Sequence, residues 1–172
     1  MTILQRLLEY KPFVWLRRNH ALEHATLHVL GEKKLGNPMG GVSDIYGFWL
    51  FGDISTEGVM NAVEEARQRL NNGEHDLAVH PHCGTNYLVP GLFAGTAAWL
   101  GMLWTGKNWT KKLERWPFIV VMVTLVLINT RSFGPLFQKN VMTTSKLGHT
   151  KILDVTRFQN WGQQVHRVRT GE

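Results

Sequence analysis

One cysteine, Cys83, in a chain of 172 residues leaves no partner for an intrachain disulfide and too few thiols for a zinc module built on two or four cysteines. Eight histidines are therefore the main supply of metal-ligating side chains. No glycine-rich phosphate fingerprint occurs, which removes P-loop and dinucleotide-binding chemistry, and no G-x-S-x-G elbow supports a serine hydrolase. C-x-x-C-H is missing too, which excludes covalent attachment of a c-type haem. The first eleven residues lack the long apolar region and cleavage site of a signal peptide. Ile3, Leu4, Leu7 and Leu8 are set there against Arg6, Glu9 and Lys11, an amphipathic pattern.

Charge is scarce, at 19% against 44% apolar residues with seven Trp and eight Phe, so a disordered or low-complexity chain is excluded and one ordinary core is affordable. Negative charge is scarcest in the second half. Residues 87–172 hold 11 Lys+Arg and 3 Asp+Glu, whereas residues 1–86 hold 8 and 10. Such a basic half suits anionic headgroups. No nucleic-acid recognition motif accompanies it, so the lipid bilayer and not nucleic acid is the expected partner.

Uncharged sequence runs from Leu77 to Gly106, and its centre, Leu88 to Trp104, is 17 residues long, at the lower limit for a spanning helix. Gly91, Ala94, Gly95, Ala97, Ala98 and Gly101 make it suited to close helix–helix approach in lipid. A basic connector, Thr105 to Arg115, carries Lys107, Lys111, Lys112 and Arg115 and leads to fifteen uncharged residues, Trp116 to Thr130. The pair reads as a transmembrane helical hairpin with a headgroup-seeking tip, Trp99, Trp104, Trp109 and Trp116 supplying interfacial rings. Two buried helices of a soluble protein are the alternative. Lys and Arg number 4 in the connector and 3 in residues 131–146, a margin too small to orient the hairpin. Export of the preceding 86 or so residues without a signal peptide is the less direct route, so the amino-terminal domain is expected in the cytoplasm.

Around the hairpin the pattern predicts a helix from Leu16 to Gly31, with Pro12 breaking it from the preceding segment and Gly31 ending it. Residues 39–52 predict two short strands around Asp44 to Gly47, with Phe48 to Phe51 the better one. Ser55 caps a helix from Thr56 to Asn71 with Val59, Val63, Ala66 and Leu70 as its apolar stripe. A third strand is expected from Asp76 to His80, and two more at Lys151 to Phe158 and Val165 to Thr170, joined by a turn at Asn160-Trp161-Gly162. The sum is an α+β fold: a domain at 1–86, a two-helix membrane hairpin at 87–131, and a basic segment at 132–172 whose strands complete the first domain's sheet.

The densest chemistry is His20-Ala21-Leu22-Glu23-His24. At 100° per residue these three side chains stand at about 0°, 300° and 40° on one helix face, where two imidazoles can chelate Zn²⁺ and the carboxylate can act as general base on bound water. His28 shares the face. Two histidines need a third ligand, and His80-Pro81-His82-Cys83 offers it: His80 first, Cys83 second. A solvated helix face and a capped membrane-proximal turn would account for the same residues without a metal. The local pattern is similar to the H-x-x-E-H of inverzincin metallopeptidases, and that resemblance implies a zinc-dependent hydrolase with Glu23 as base and a downstream glutamate, here Glu64 or Glu65, as a possible imitation of their third ligand. H-A-L-E-H-A-T, S-D-x-x-G-F-W-L-F-G-D and H-P-x-C-G-T-N before paired apolar helices together resemble an uncharacterised bacterial integral-membrane family, a domain of unknown function. The rival to hydrolysis is a noncatalytic subunit or assembly factor of a membrane complex, or a homo-oligomer, its small-residue helix packing against a partner.

Overall fold

The computed structural model describes residues 3–106, 108–160 and 163–172, with the side chains of residues 3–5, 39, 104, 160 and 163 outside that description. The chain is mixed helix and sheet and divides into two compact units, Met1–His80 with Lys139–Glu172, and Pro81–Gln138.

The first unit opens with a short helix, α1 (Ile3–Leu8), and then α2 (Lys11–Glu32). Pro12 sits in the first turn of α2 instead of breaking the chain before it. An N–H missing there would have had no helical partner, and proline's fixed φ suits the position. Gly31 does not stop the helix either: it continues to Glu32, and the left-handed backbone falls at Lys34 and Gly36. From Asn19 to Leu30 every residue but His28 is buried, because α2 lies between the sheet and the next helix.

Two strands follow, β1 (Asn37–Asp44) and β2 (Gly47–Asp53), joined at Ile45-Tyr46, where the Tyr46 N–H donates to Asp44 Oδ1 at 2.7 Å. Ser55 then caps α3 (Thr56–Asn71), its hydroxyl accepting from the Gly58 N–H at 3.0 Å, and Val59, Val63, Ala66 and Leu70 are buried as the stripe requires. Two further strands, β3 (Lys151–Asn160) and β4 (Gln163–Gly171), complete one antiparallel sheet in the order β1-β2-β4-β3. Trp161 and Gly162 of the expected turn lie outside the described residues. Phe48 and Leu50 of β2 and Val168 of β4 turn inward against Leu22, Leu30, Val59, Val63 and Leu70. Full burial of each such side chain stabilises by about 1.5–3 kcal/mol.

The strand expected at Asp76–His80 is instead a 3₁₀ turn, His75–Ala78. The ladder position beside β2 is taken by β4, leaving this segment no sheet partner there, and Gly73, at φ 99°, turns the chain back toward α2.

The second unit holds α4 (Thr85–Met102), a 3₁₀ turn at Leu103–Thr105, α5 (Trp109–Thr130) and α6 (Phe133–Phe137). Asn108 caps α5 by accepting from the Thr110 N–H at 3.0 Å, so Lys111, Lys112 and Arg115 of the expected linker lie on the helix; Lys107 is outside the described residues. A Cβ on Gly101 would stand 2.9 Å from the Ile119 side chain, and this absence of a side chain lets α4 approach α5. Among the described residues, α5 is the one helix long and apolar enough to cross a membrane by length and composition. Asn86, Tyr87, Pro90 and several glycines dilute the apolar character of α4.

Candidate metal centre

His20, Glu23 and His24 lie on the buried part of α2, each no more than 8% exposed. The His20 and His24 ring centroids are 4.3 Å apart, and a donor nitrogen of one lies within 4.8 Å of a donor nitrogen of the other. Two ligands of one tetrahedral zinc stand about 3.4 Å apart.

Backbone carbonyls decide which nitrogens are available. His24 Nδ1 donates to the Ala78 carbonyl at 2.9 Å, and His20 Nδ1 to the Met142 carbonyl at 3.2 Å. A carbonyl accepts only, so each Nδ1 carries a proton, and Nε2 is the ring nitrogen through which a metal would be held. Ligating histidines are oriented by this same arrangement of outer hydrogen bonds. His28 is the reverse: its Nε2 donates to the Val79 carbonyl at 2.9 Å. The last residue of the 3₁₀ turn that replaces the expected strand, and the extended residue after it, thus supply the two carbonyls that orient His24 and His28. His80 follows it, its ring 5.8 Å from that of His24 and 4.9 Å from that of His28.

Glu23 sits against β1. The Ser43 hydroxyl donates to its Oε2, and a Cβ on Gly41 would lie 2.7 Å from its Oε1. Burial pushes the Glu23 carboxyl above the ordinary carboxylate range, and the Ser43 bond and the charge of His20 pull it back only in part. Next to Glu23 along the helix, Asn19 ties α2 to both sheet halves, donating to the Asp44 carbonyl at 2.8 Å and accepting from Thr170 Oγ1 at 2.7 Å.

Cys83 belongs to the second unit, where its Sγ lies 3.1 Å from Thr85 Oγ1. Glu64 and Glu65 are on α3, Glu64 bonded to Arg67 at 2.6 Å and Glu65 paired with Lys33. Sequence reasoning did not single out Gly41, Ser43 or the carbonyls of Ala78, Val79 and Met142. Ser43 stands within the S-D-x-x-G pattern, the one available signal; backbone carbonyls leave none.

A buried histidine–glutamate helix laid on an antiparallel sheet, joined to a unit with one long apolar helix, defines an α+β architecture with a candidate metal centre. The chain belongs to the family described as Domain of unknown function (DUF6391), which it matches over residues 15–155, a range that takes in most of α2, the 3₁₀ turn at His75–Ala78, and α4, α5 and α6. It is 40% identical to an uncharacterised protein of Picosynechococcus sp., the match covering 52% of this chain and 50% of that protein. The chain therefore spans about half the length of the curated relative it matches. No solved structure matches it.

Proposed function

We propose that the first unit binds zinc through Nε2 of His20 and His24, with His80 of the same unit as the third donor. The observation that carries this reading is the pair of Nδ1–H bonds to the Ala78 and Met142 carbonyls, the outer hydrogen-bond arrangement that orients ligating histidines. We propose further that the centre hydrolyses amide bonds. Zinc, when bound, would polarise the carbonyl and lower the pKa of an attacking water. Glu23 takes one proton from that water. The water oxygen joins the carbonyl carbon, the C–N bond breaks, and the proton held by Glu23 passes to the departing amine. Ser43 holds the carboxylate in place through the cycle.

For the second unit the reading is an integral-membrane one in which α5 crosses the bilayer, with α4 proposed as a second crossing beside it. Phe118, Val121, Leu125 and Ile128 form an exposed apolar stripe on α5, and Leu88, Leu92 and Trp99 are exposed on α4. In this reading the α+β unit faces the cytoplasm. One observation favours the noncatalytic alternative, a subunit or assembly factor: Gly91 and Gly95, one turn apart on α4, have nothing within 4 Å of where a Cβ would stand, the kind of surface against which a partner helix packs.

Detergent-purified Glu23→Gln decides between the two. The hydrolase reading expects zinc retained and zinc-dependent amide hydrolysis reduced by about 10²–10⁴. A companion subunit in stoichiometric amount, lost with Gly91→Leu and Gly95→Leu, together with no hydrolysis by the wild type, selects the assembly reading.

A further inference from the structure

The candidate centre stands beside an outer edge of the sheet, where β1 has no second strand partner among the described residues. β1 is the outermost strand of the order β1-β2-β4-β3. Along an antiparallel ladder, alternate residues of an edge strand turn their N–H and C=O away from their neighbour. Asp44 and Gly47 face each other across the two-residue turn as a directly bonded pair, so Val42 also bonds to β2, and Gly41 and Ser43 direct their backbone groups to the open side. Gly41 and Ser43 are also the two residues that meet Glu23. The open backbone edge and the candidate base therefore share one corner of the unit.

Helix geometry puts the histidines on the opposite side of Glu23 from the core face. Leu22, Thr26 and Leu30, which are buried, stand within about 100° of Glu23 in one sense, and His20 and His24 stand about 60° and 100° from it in the other. Glu23 marks the boundary between the core face and the histidine face. A strand added beyond β1 would run past Glu23. Pro38, which has no N–H, and the irregular register between Pro38 and Gly40 end the usable edge, confining it to Gly40–Asp44.

We propose that this edge binds the substrate as an extended polypeptide, adding it to the sheet as a fifth strand, so that the centre takes unfolded peptide segments in preference to small amides. The inference rests on the hydrolase reading of His20, Glu23 and His24. An edge of alternating backbone donors and acceptors recognises another backbone, and the glycines at 40 and 41 offer little side-chain relief, so recognition is tolerant of sequence.

The test uses the full chain in detergent, with Glu23→Gln to stop turnover and carboxymethylated casein as the probe. Amide hydrogen exchange across Asn37–Asp44 is measured with and without casein, beside casein cleavage by the zinc-loaded wild type. The expected result is exchange slowed at least about tenfold at Gly41 and Ser43, with cleavage by the wild type. A peptide N-methylated at alternate backbone nitrogens should fail to give the protection that its parent gives. Unchanged exchange at Gly41 and Ser43, alongside zinc-dependent hydrolysis of a small chromogenic amide, overturns strand addition and leaves the hydrolase reading standing. Slowed exchange with no zinc-dependent hydrolysis of any substrate overturns the hydrolase reading instead, and with it the assignment of the bound strand as substrate.

Discussion

The Ser43 hydroxyl on β1 donates to the Glu23 carboxylate on α2, joining the outermost strand of the sheet to the helix that carries the histidines. A buried carboxylate held by one neutral donor depends on that donor. Ser43→Ala is expected to lower unfolding free energy by about 1.5–3 kcal/mol, the range for a hydrogen bond to a charged group, while leaving zinc content unchanged. Urea unfolding and metal analysis on the same preparation check both halves. Zinc lost together with Ser43 would mean that the serine shapes the histidine pair and not only Glu23.

Gly41 has no room for a side chain. A methyl group there would stand 2.7 Å from Glu23 Oε1 and 2.7 Å from the Trp49 carbonyl, so either Glu23 or the strand must move. Gly41→Ala is expected to cost about 1–3 kcal/mol and, under the proposed hydrolase reading, to reduce hydrolysis more than Ser43→Ala does. Circular dichroism alongside the rate measurement separates a displaced base from a lost fold.

His166 is fully buried between β4 and α3, with Nε2 3.2 Å from Thr56 Oγ1 and Nδ1 without a hydrogen-bond partner among the described residues. Burial first, and then the charge of Arg157, hold its pKa below the ordinary imidazole value. The folded protein keeps it neutral where the unfolded chain would take up a proton. The resulting stability is full above about pH 6.5 and is lost as the pH falls from there toward the lower folded value. Urea midpoints measured over that interval should fall less steeply in His166→Gln than in the wild type, and equal slopes would contradict the assignment.

Within the second unit, Gly101 permits the approach of α4 to Ile119 on α5. Gly101→Leu is expected to separate the two helices and to speed protease cleavage near Asn108 at the start of α5, whereas the exposed Gly95→Ala should not. Timed proteolysis in detergent reads the difference.

Much of this architecture is legible in the residues. Ser55, the Val59/Val63/Ala66/Leu70 stripe, and the turn between Asp44 and Gly47 predict α3, β1 and β2, because a cap, a 3.6-residue period and a tight turn are local signals. The carboxyl-terminal strands also complete the sheet as expected, through β4 beside β2. What the local pattern does not carry is competition between segments. Asp76–His80 has strand-like composition, yet β4, from the far end of the chain, holds the place beside β2. Pro12 and Gly31 mislead for a related reason: a proline in a first turn and a glycine inside a packed helix are tolerated when burial along Asn19–Leu30 favours helix throughout. At the candidate centre, the helix spacing places His20, Glu23 and His24 on one face. The groups that orient them are mostly backbone carbonyls, which are the same in every residue and so have no sequence signature.

The central claim is that His20 and His24 hold a metal. Zinc is measured per chain in detergent-purified wild type and in His20→Ala/His24→Ala, with the near-ultraviolet signal of the seven tryptophans confirming that the variant remains folded. The account predicts close to one zinc per chain in the wild type and essentially none in the folded variant; the same zinc content in both, or none in the wild type after zinc is supplied, would contradict it.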